Sequence, residues 1–192
     1  MTLLAIAAAL LCPAKGQLVT VQAPARATVA TVQVFDDCRR VMGPWTAWVG
    51  YHGLSAGKRE GDGTTPAGTY RFGSTVYGLE PDPGVRFRYH RLVCGDWWDS
   101  NPRSATYNRF VHLACGRSLA ASEPLWRISP QYRYFAEIRY NAAPAVPGRG
   151  SAIFLHVSAG RPTAGCVALP EAQLVRLLRW LRPGAVVRLG IS

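Results

Sequence analysis

The sequence predicts one mainly-β domain carrying a single substantial helix, and three observations predict it. The chain has 192 residues, enough for one well-buried core and too few for two comfortable ones. Its 19 glycines and 14 prolines suit short strands joined by turns. Apolar alternation recurs in several short runs, whereas a helical period occurs clearly in one segment only.

The opening MTLLAIAAALLCPAKG is an apolar run of about ten residues followed by Cys12-Pro13-Ala14, which reads as a secretory signal peptide over residues 1–14. Its first region carries no Lys or Arg, and the run is too short to span a bilayer. The chain is therefore expected to be exported to the cell envelope, periplasm or medium, with no stable membrane span. The mature domain is expected over residues 18–192.

Residues 18–34 (LVTVQAPARATVATVQV) alternate apolar with small or polar side chains, as a strand pair does. Residues 41–50 form a further strand. The glycine-rich stretch 53–72 (GLSAGKREGDGTTPAGTYRF) reads as a long loop ending in a short strand. Strands over 85–93 and 107–114 flank a loop, WWDSNPRSA, and two more lie at 134–140 and 152–157. The helix is PEAQLVRLLRWLR, residues 170–182. Leu174, Val175, Leu177, Leu178 and Leu181 make its apolar stripe, and Pro183-Gly184 stops it. A last strand, AVVRLGI, follows.

The net charge of +11 comes from twenty arginines and two lysines. The arginines are scattered along the chain, without the dense stripe that nucleic-acid binding needs. Nucleic acid is therefore not an expected partner. Diffuse positive charge instead fits attraction to anionic envelope polymers.

Five cysteines must be placed in an oxidising compartment. Loss of the leader removes Cys12 and leaves Cys38, Cys94, Cys115 and Cys166. Two structural disulfides are one arrangement. The preferred one is a single bridge, Cys94–Cys115, closing the polar, turn-rich loop between them. Cys166 is expected to be a free thiol, and the state of Cys38 is open. His52, His90 and His112 show no metal-ligand spacing, so no metal is expected.

The chemistry concentrates in SAIFLHVSAGRPTAGCVALP, residues 151–170. His156 ends a β-type run and Cys166 follows a loop containing Gly160, Pro162 and Gly165. Each residue alone is more often structural. Together, a base raises the thiolate fraction of a sulfur nucleophile that attacks carbonyls. The Gly165-Cys166 amides are placed to stabilise an oxyanion, and Thr163 to hold the turn through its hydroxyl. The group orienting His156 is unassigned and includes a backbone carbonyl among its candidates. GKREGDGTTPAGTY fails both phosphate-loop fingerprints and reads as a turn edging the cleft. Trp97, Trp98, Asp99, Tyr107 and Asn108 suit either a ligand groove or the packing of a bridged loop.

HVSAGRPTAGCVALP, preceded by GKREGDGTTPAGTY and WWDSNPRSATYNRFV, resembles the L,D-transpeptidase catalytic domain of the YkuD type over residues 59–190. The resemblance implies a β-sandwich-like domain, Cys166 as nucleophile and His156 as proton acceptor and donor. It also implies peptidoglycan stem peptides as substrate and no cofactor. In the family the cysteine takes the acyl group of the third stem residue, expels the terminal D-alanine and passes the acyl to a neighbouring amine. An L,D-carboxypeptidase shares the first half of that reaction, and a non-catalytic wall-binding protein would keep the scaffold alone. This chain departs from the family in two places. Ala168 stands where Arg or Asn is usual, and ten positions separate His156 from Cys166, fewer than is typical.

Overall fold

The computed structural model describes residues 16–192. The predicted leader lies outside the described residues. Strands make up 41% and helix 9% of the described residues.

The first hairpin, β1 (Gln17–Ala23) and β2 (Val29–Asp36), pairs antiparallel from Gln17↔Asp36 to Gln22↔Thr31. Ala30, Val32 and Val34 of β2 point inward at alternate positions, the period-two pattern a half-buried strand requires. β3 (Arg39–Trp48) returns along β2, and a two-residue parallel pair, β4 (Leu54–Ser55) with β5 (Thr65–Pro66), brackets the glycine-rich loop. β6 (Gly68–Gly78) is longer than the short strand expected there. Glycines at 68, 73 and 78 punctuate its sequence and conceal its length.

β7 (Arg88–Arg91) lies parallel to β6. Next come β8 (Asp96–Asp99), β9 (Arg109–His112) and β10 (Glu123–Pro124), which form a separate three-stranded sheet in the order β10-β8-β9. The Trp97-Trp98-Asp99 stretch, expected in a loop, is therefore a strand. All four β8 residues are buried, so no alternation betrays it. The Cys94–Cys115 bridge closes this hairpin just outside the strands, with 5.2 Å between the Cα atoms.

Two 3-10 turns, Leu125–Arg127 and Gln131–Arg133, lead into β11 (Phe135–Ile138). β12 (Phe154–Val157), β13 (Val167–Leu169), the helix α1 (Glu171–Trp180) and β14 (Val186–Ile191) complete the chain. The main sheet runs β11-β12-β13-β3-β2-β1-β14-β6-β7, and β11 also pairs with β6, so the sheet closes on itself. Among the described residues this is the mainly-β architecture with one α-helix that composition and periodicity imply.

The large core joins Val19, Val21, Val32, Val187 and Leu189 of the sheet to Leu174, Leu177, Leu178 and Leu181 at the helix. Each such leucine contributes about 2 kcal/mol by leaving water. Val175, predicted in the same stripe, is only half-buried. Gln17 fastens the helix end, donating from Nε2 to Trp180 O at 3.0 Å and accepting from Arg182 N at 2.7 Å. A smaller aromatic core, with Trp98, Leu125, Tyr132, Phe135 and Phe154 fully or nearly buried, packs under the bridged hairpin. The candidate site sits over this second core.

Candidate active site

β12 and β13 run parallel, with Leu155↔Val167 and His156↔Ala168 in register. The connection from Val157 to Val167 must therefore return to the starting edge of the sheet before β13 begins. That return sets Cys166, the residue just before β13, beside Phe154. The loop is pinned on its way. Thr163 N donates to Val49 O at 2.9 Å, and Tyr51 N donates to Thr163 O at 2.9 Å.

Cys166 is half-buried and is the free cysteine among the described residues. Its thiol donates to Ala152 O at 3.2 Å, and its sulfur accepts from Phe154 N at 3.3 Å. Burial pushes the thiol up to about 12, with Glu123 adding to the rise. His156 is 6% exposed, and burial pulls its imidazole down to about 4. Its Nδ1 lies 2.8 Å from Val157 O. A carbonyl only accepts, so Nδ1 carries the proton and Nε2 is left as acceptor. The orienting group is thus the backbone carbonyl of the next residue. Both members of the pair are neutral at rest.

His156 and Cys166 line one cleft of about 520 Å³. The described hydrogen bonds of the thiol run to backbone atoms rather than to the imidazole. The short connection between them predicts thiol and imidazole within hydrogen-bond reach, whereas the bonds described for the sulfur go to Ala152 and Phe154. One wall is the glycine-rich loop, with Lys58, Glu60 and Gly61. A second group of lining residues is Glu123, Gln131 and Tyr132, and a third comes from Ala159 and the 161–165 loop.

Thr163 holds the turn, accepting from Gly165 N at 3.1 Å and donating to Cys166 O at 2.7 Å. The Gly165 N–H, expected to face an oxyanion, is instead engaged by the Thr163 hydroxyl. Thr65 Oγ1 also donates to Cys166 O, at 3.3 Å, and accepts from Gly50 N. The carbonyl of the cysteine is doubly fixed.

Sequence reasoning missed the second group. Tyr132 sits edge-on to the His156 ring, with centroids 6.0 Å apart, and hydrogen-bonds Glu123 through its hydroxyl. Burial raises the Glu123 carboxyl above its ordinary range. Glu60 accepts from Tyr107 OH and from Ser151 Oγ, the latter at 2.9 Å. No periodicity marks these residues, because only the tertiary fold assembles them.

The aromatic motif belongs to the packing. Trp98, Tyr107, Asn108 and Asp99 are nearly or fully buried, and none lines the cleft. Trp98 Nε1 donates to Asn108 Oδ1 at 2.9 Å, and Asn108 Oδ1 also accepts from Ala152 N at 3.0 Å. The bridged hairpin is thus tied directly to the floor of the site. His90 and His112 flank Asp96, at 2.8 and 2.7 Å. Ala168 is 1% exposed between β12 and β3, so the position where the family usually has Arg or Asn is interior here.

A family model for the YkuD L,D-transpeptidase catalytic domain matches residues 17–189. The chain belongs to this family. Solved structures similar to this YkuD domain include an L,D-transpeptidase from Stackebrandtia nassauensis, with 16% identity over 94% of this chain and 58% of that one, at TM-score 0.46. Another is the helical cell shape determining protein Pgp2 (K307A mutant) from Campylobacter jejuni, with 15% identity over 94% of this chain and 49% of that one, at TM-score 0.45. A third is an L,D-transpeptidase from Mycobacterium smegmatis, with 13% identity over 91% of this chain and 59% of that one, at TM-score 0.41. The chain spans roughly half to three-fifths of the length of these structures. No curated protein sequence matches it.

Proposed function

We propose that this YkuD domain is an exported cysteine L,D-transpeptidase that cross-links peptidoglycan stem peptides through a thioester on Cys166. One observation carries the reading: a free thiol shares a cleft with an imidazole whose Nδ1 proton is fixed on a backbone carbonyl. That leaves Nε2 able to take the thiol proton.

In the first step the Cys166 sulfur bonds the carbonyl carbon of the third stem residue while its proton passes to His156 Nε2. The carbonyl electrons move to oxygen, where the Cys166 N–H meets the negative charge. Collapse breaks the bond to the terminal D-alanine, whose amine leaves with the proton from Nε2. The side-chain amine of a second stem then attacks the thioester, gives its proton to Nε2, and the sulfur leaves and recovers that proton. The thiol and imidazole are neutral at the start and end of each cycle, so charge separation is confined to the steps in which substrate fills the cleft.

Residues 1–14 would deliver the domain across the membrane, and the net charge of +11 would hold it near anionic wall polymers. Among the described residues no helix is long and apolar enough to cross a membrane.

Incubation with tetrapeptide stems should release D-alanine and yield cross-linked dimers by chromatography and mass spectrometry. Trimmed stems without dimers would assign water as the acceptor and make the domain an L,D-carboxypeptidase. Absence of D-alanine release by folded protein would overturn the enzyme reading in favour of wall binding alone.

A further inference from the structure

Lys58 belongs to the glycine-rich loop and has no part in the reaction as written, yet its surroundings are unusual for a lysine. Its side chain is 3% exposed. The ammonium donates to Asp62 Oδ1 at 2.7 Å and to Arg59 O at 3.1 Å, which uses two of its three N–H groups. The chain has twenty arginines and only two lysines, and Lys58 is the one that lines the cleft.

Two glycines make room for it. A Cβ on Gly150 would come within 3.1 Å of Lys58 Cε and 3.2 Å of Cγ, and one on Gly165 within 3.4 Å of Nζ. Both glycines have positive φ, +107° and +150°. The aliphatic stem thus runs past Gly150 and the charged head ends against Gly165, the residue before the nucleophile. Asp62 fixes that head from the far side. Its carboxylate also accepts from Arg59 N at 2.7 Å and Thr64 N at 2.9 Å. Burial works to raise Asp62, but the bonds from Lys58, Thr64 and Arg59 hold it down to about 2.

We propose that Lys58 is a positioning residue for the nucleophile: its ammonium, laid against the Gly165–Cys166 segment, supplies the positive charge that stabilises Cys166 when the sulfur becomes anionic. The proposal rests on Cys166 being the nucleophile. The charged and titratable groups around the sulfur are Lys58 and Glu60 from the glycine-rich loop, Glu123 and Tyr132 from the second group of lining residues, His156 from β12, and Arg161 from the 161–165 loop. Glu123 works against an anionic sulfur and Lys58 in its favour. Arg161 is exposed, so its charge is screened by solvent, whereas Lys58 is enclosed.

A loop staple is the competing role for the Lys58–Asp62 pair, and the two roles separate by sign. The measurement is the rate of Cys166 carbamidomethylation by iodoacetamide from pH 6 to 11 on the full chain, read by mass spectrometry of the Cys166 peptide. Removing the ammonium in Lys58→Met should move the alkaline rise in rate upward by about one pH unit, about tenfold slower at a fixed pH below the plateau. Lys58→Arg should restore most of the rate. Asp62→Asn keeps an acceptor oxygen for the loop while removing the opposing charge, so it should move the rise downward. A staple alone predicts that Lys58→Met and Asp62→Asn move the profile in the same direction, or not at all, and either result overturns the proposal. Should Lys58→Met lose its near-UV circular dichroism, the Asp62→Asn and Lys58→Arg profiles decide by themselves. Alkylation reads the sulfur whether or not stems are turned over, so a shifted profile with no D-alanine release would sink the transpeptidase reading and leave only the electrostatic effect of Lys58 on the sulfur, whereas an unshifted profile with D-alanine released would overturn the role of Lys58 alone.

Discussion

The bridged hairpin and the candidate cleft both bury ionisable groups, and they do so to opposite ends. Asp96 and Asp99 are fully buried in β8. Burial works to raise both, yet hydrogen bonds hold both carboxyls below their ordinary range. Asp96 accepts from Val93 N and contacts His90 and His112, and Asp99 accepts from Thr106 Oγ1 at 2.6 Å and Asn101 N at 2.9 Å. Fewer hydrogen-bond partners reverse the outcome in the cleft. Cys166 has one donor to its sulfur and His156 one carbonyl, and burial wins at each. Enough donors turn a buried acid into a fastener for the fold. Too few leave the buried group in its neutral form.

The largest expected effect separates chemistry from stability. Cys166→Ala should abolish any acyl adduct while costing the fold about 1 kcal/mol, since only two weak sulfur bonds are lost. Equilibrium denaturation and intact mass would report the two together. Asp99→Ala should do the reverse, lowering stability by about 4 kcal/mol because several buried donors lose their acceptor. An Asp99→Ala protein as stable as wild type would remove the basis of the comparison.

His156 supplies the pH-dependent test. Its folded value, about 4, lies below the ordinary 6.5, so the unfolded chain binds more protons between those limits. Stability therefore rises with pH across that window. The contribution is fully present above 6.5 and is lost as pH falls toward 4, on the order of 3 kcal/mol. The loss should be largely absent in His156→Gln. Asp62, held at about 2, loses its contribution only at lower pH, so the two windows are distinct.

Reduction of Cys94–Cys115, or its replacement by serines, should cost about 3 kcal/mol for a separation of 21 residues. The hairpin also braces the cleft floor through Asn108 and Ala152, so acylation should slow along with the loss of stability. The smallest change is Thr163→Val. It removes the hydroxyl between Gly165 N and Cys166 O, and should cost about 1 kcal/mol in denaturation and reduce acylation several-fold.

Much of this architecture was legible in the sequence, for physical reasons that differ between elements. The helix announced itself through its leucine spacing, and β1 and β2 through alternation against a half-solvated environment. His156, Thr163, Gly165 and Cys166 were legible because they fall within one short segment whose residue types suit acyl transfer. β8 was not, since a strand buried on both faces has no alternation, and β13 was not, since three residues carry no period. Glu123 and Tyr132 come from distant segments, and nothing local distinguishes them from ordinary surface or core residues, whereas Lys58 belongs to the glycine-rich loop read as edging the cleft. The thiol's bonds to Ala152 and Phe154 arise from the parallel register of β12 and β13, which sequence spacing leaves undetermined.

Mass spectrometry of the Cys166 peptide after brief exposure to a tetrapeptide stem tests the central claim most directly. The account predicts a stem-derived acyl group in thioester linkage at Cys166, formed far more slowly in His156→Gln. An unmodified Cys166 in folded protein that has released D-alanine, or an adduct on any other residue, would contradict it.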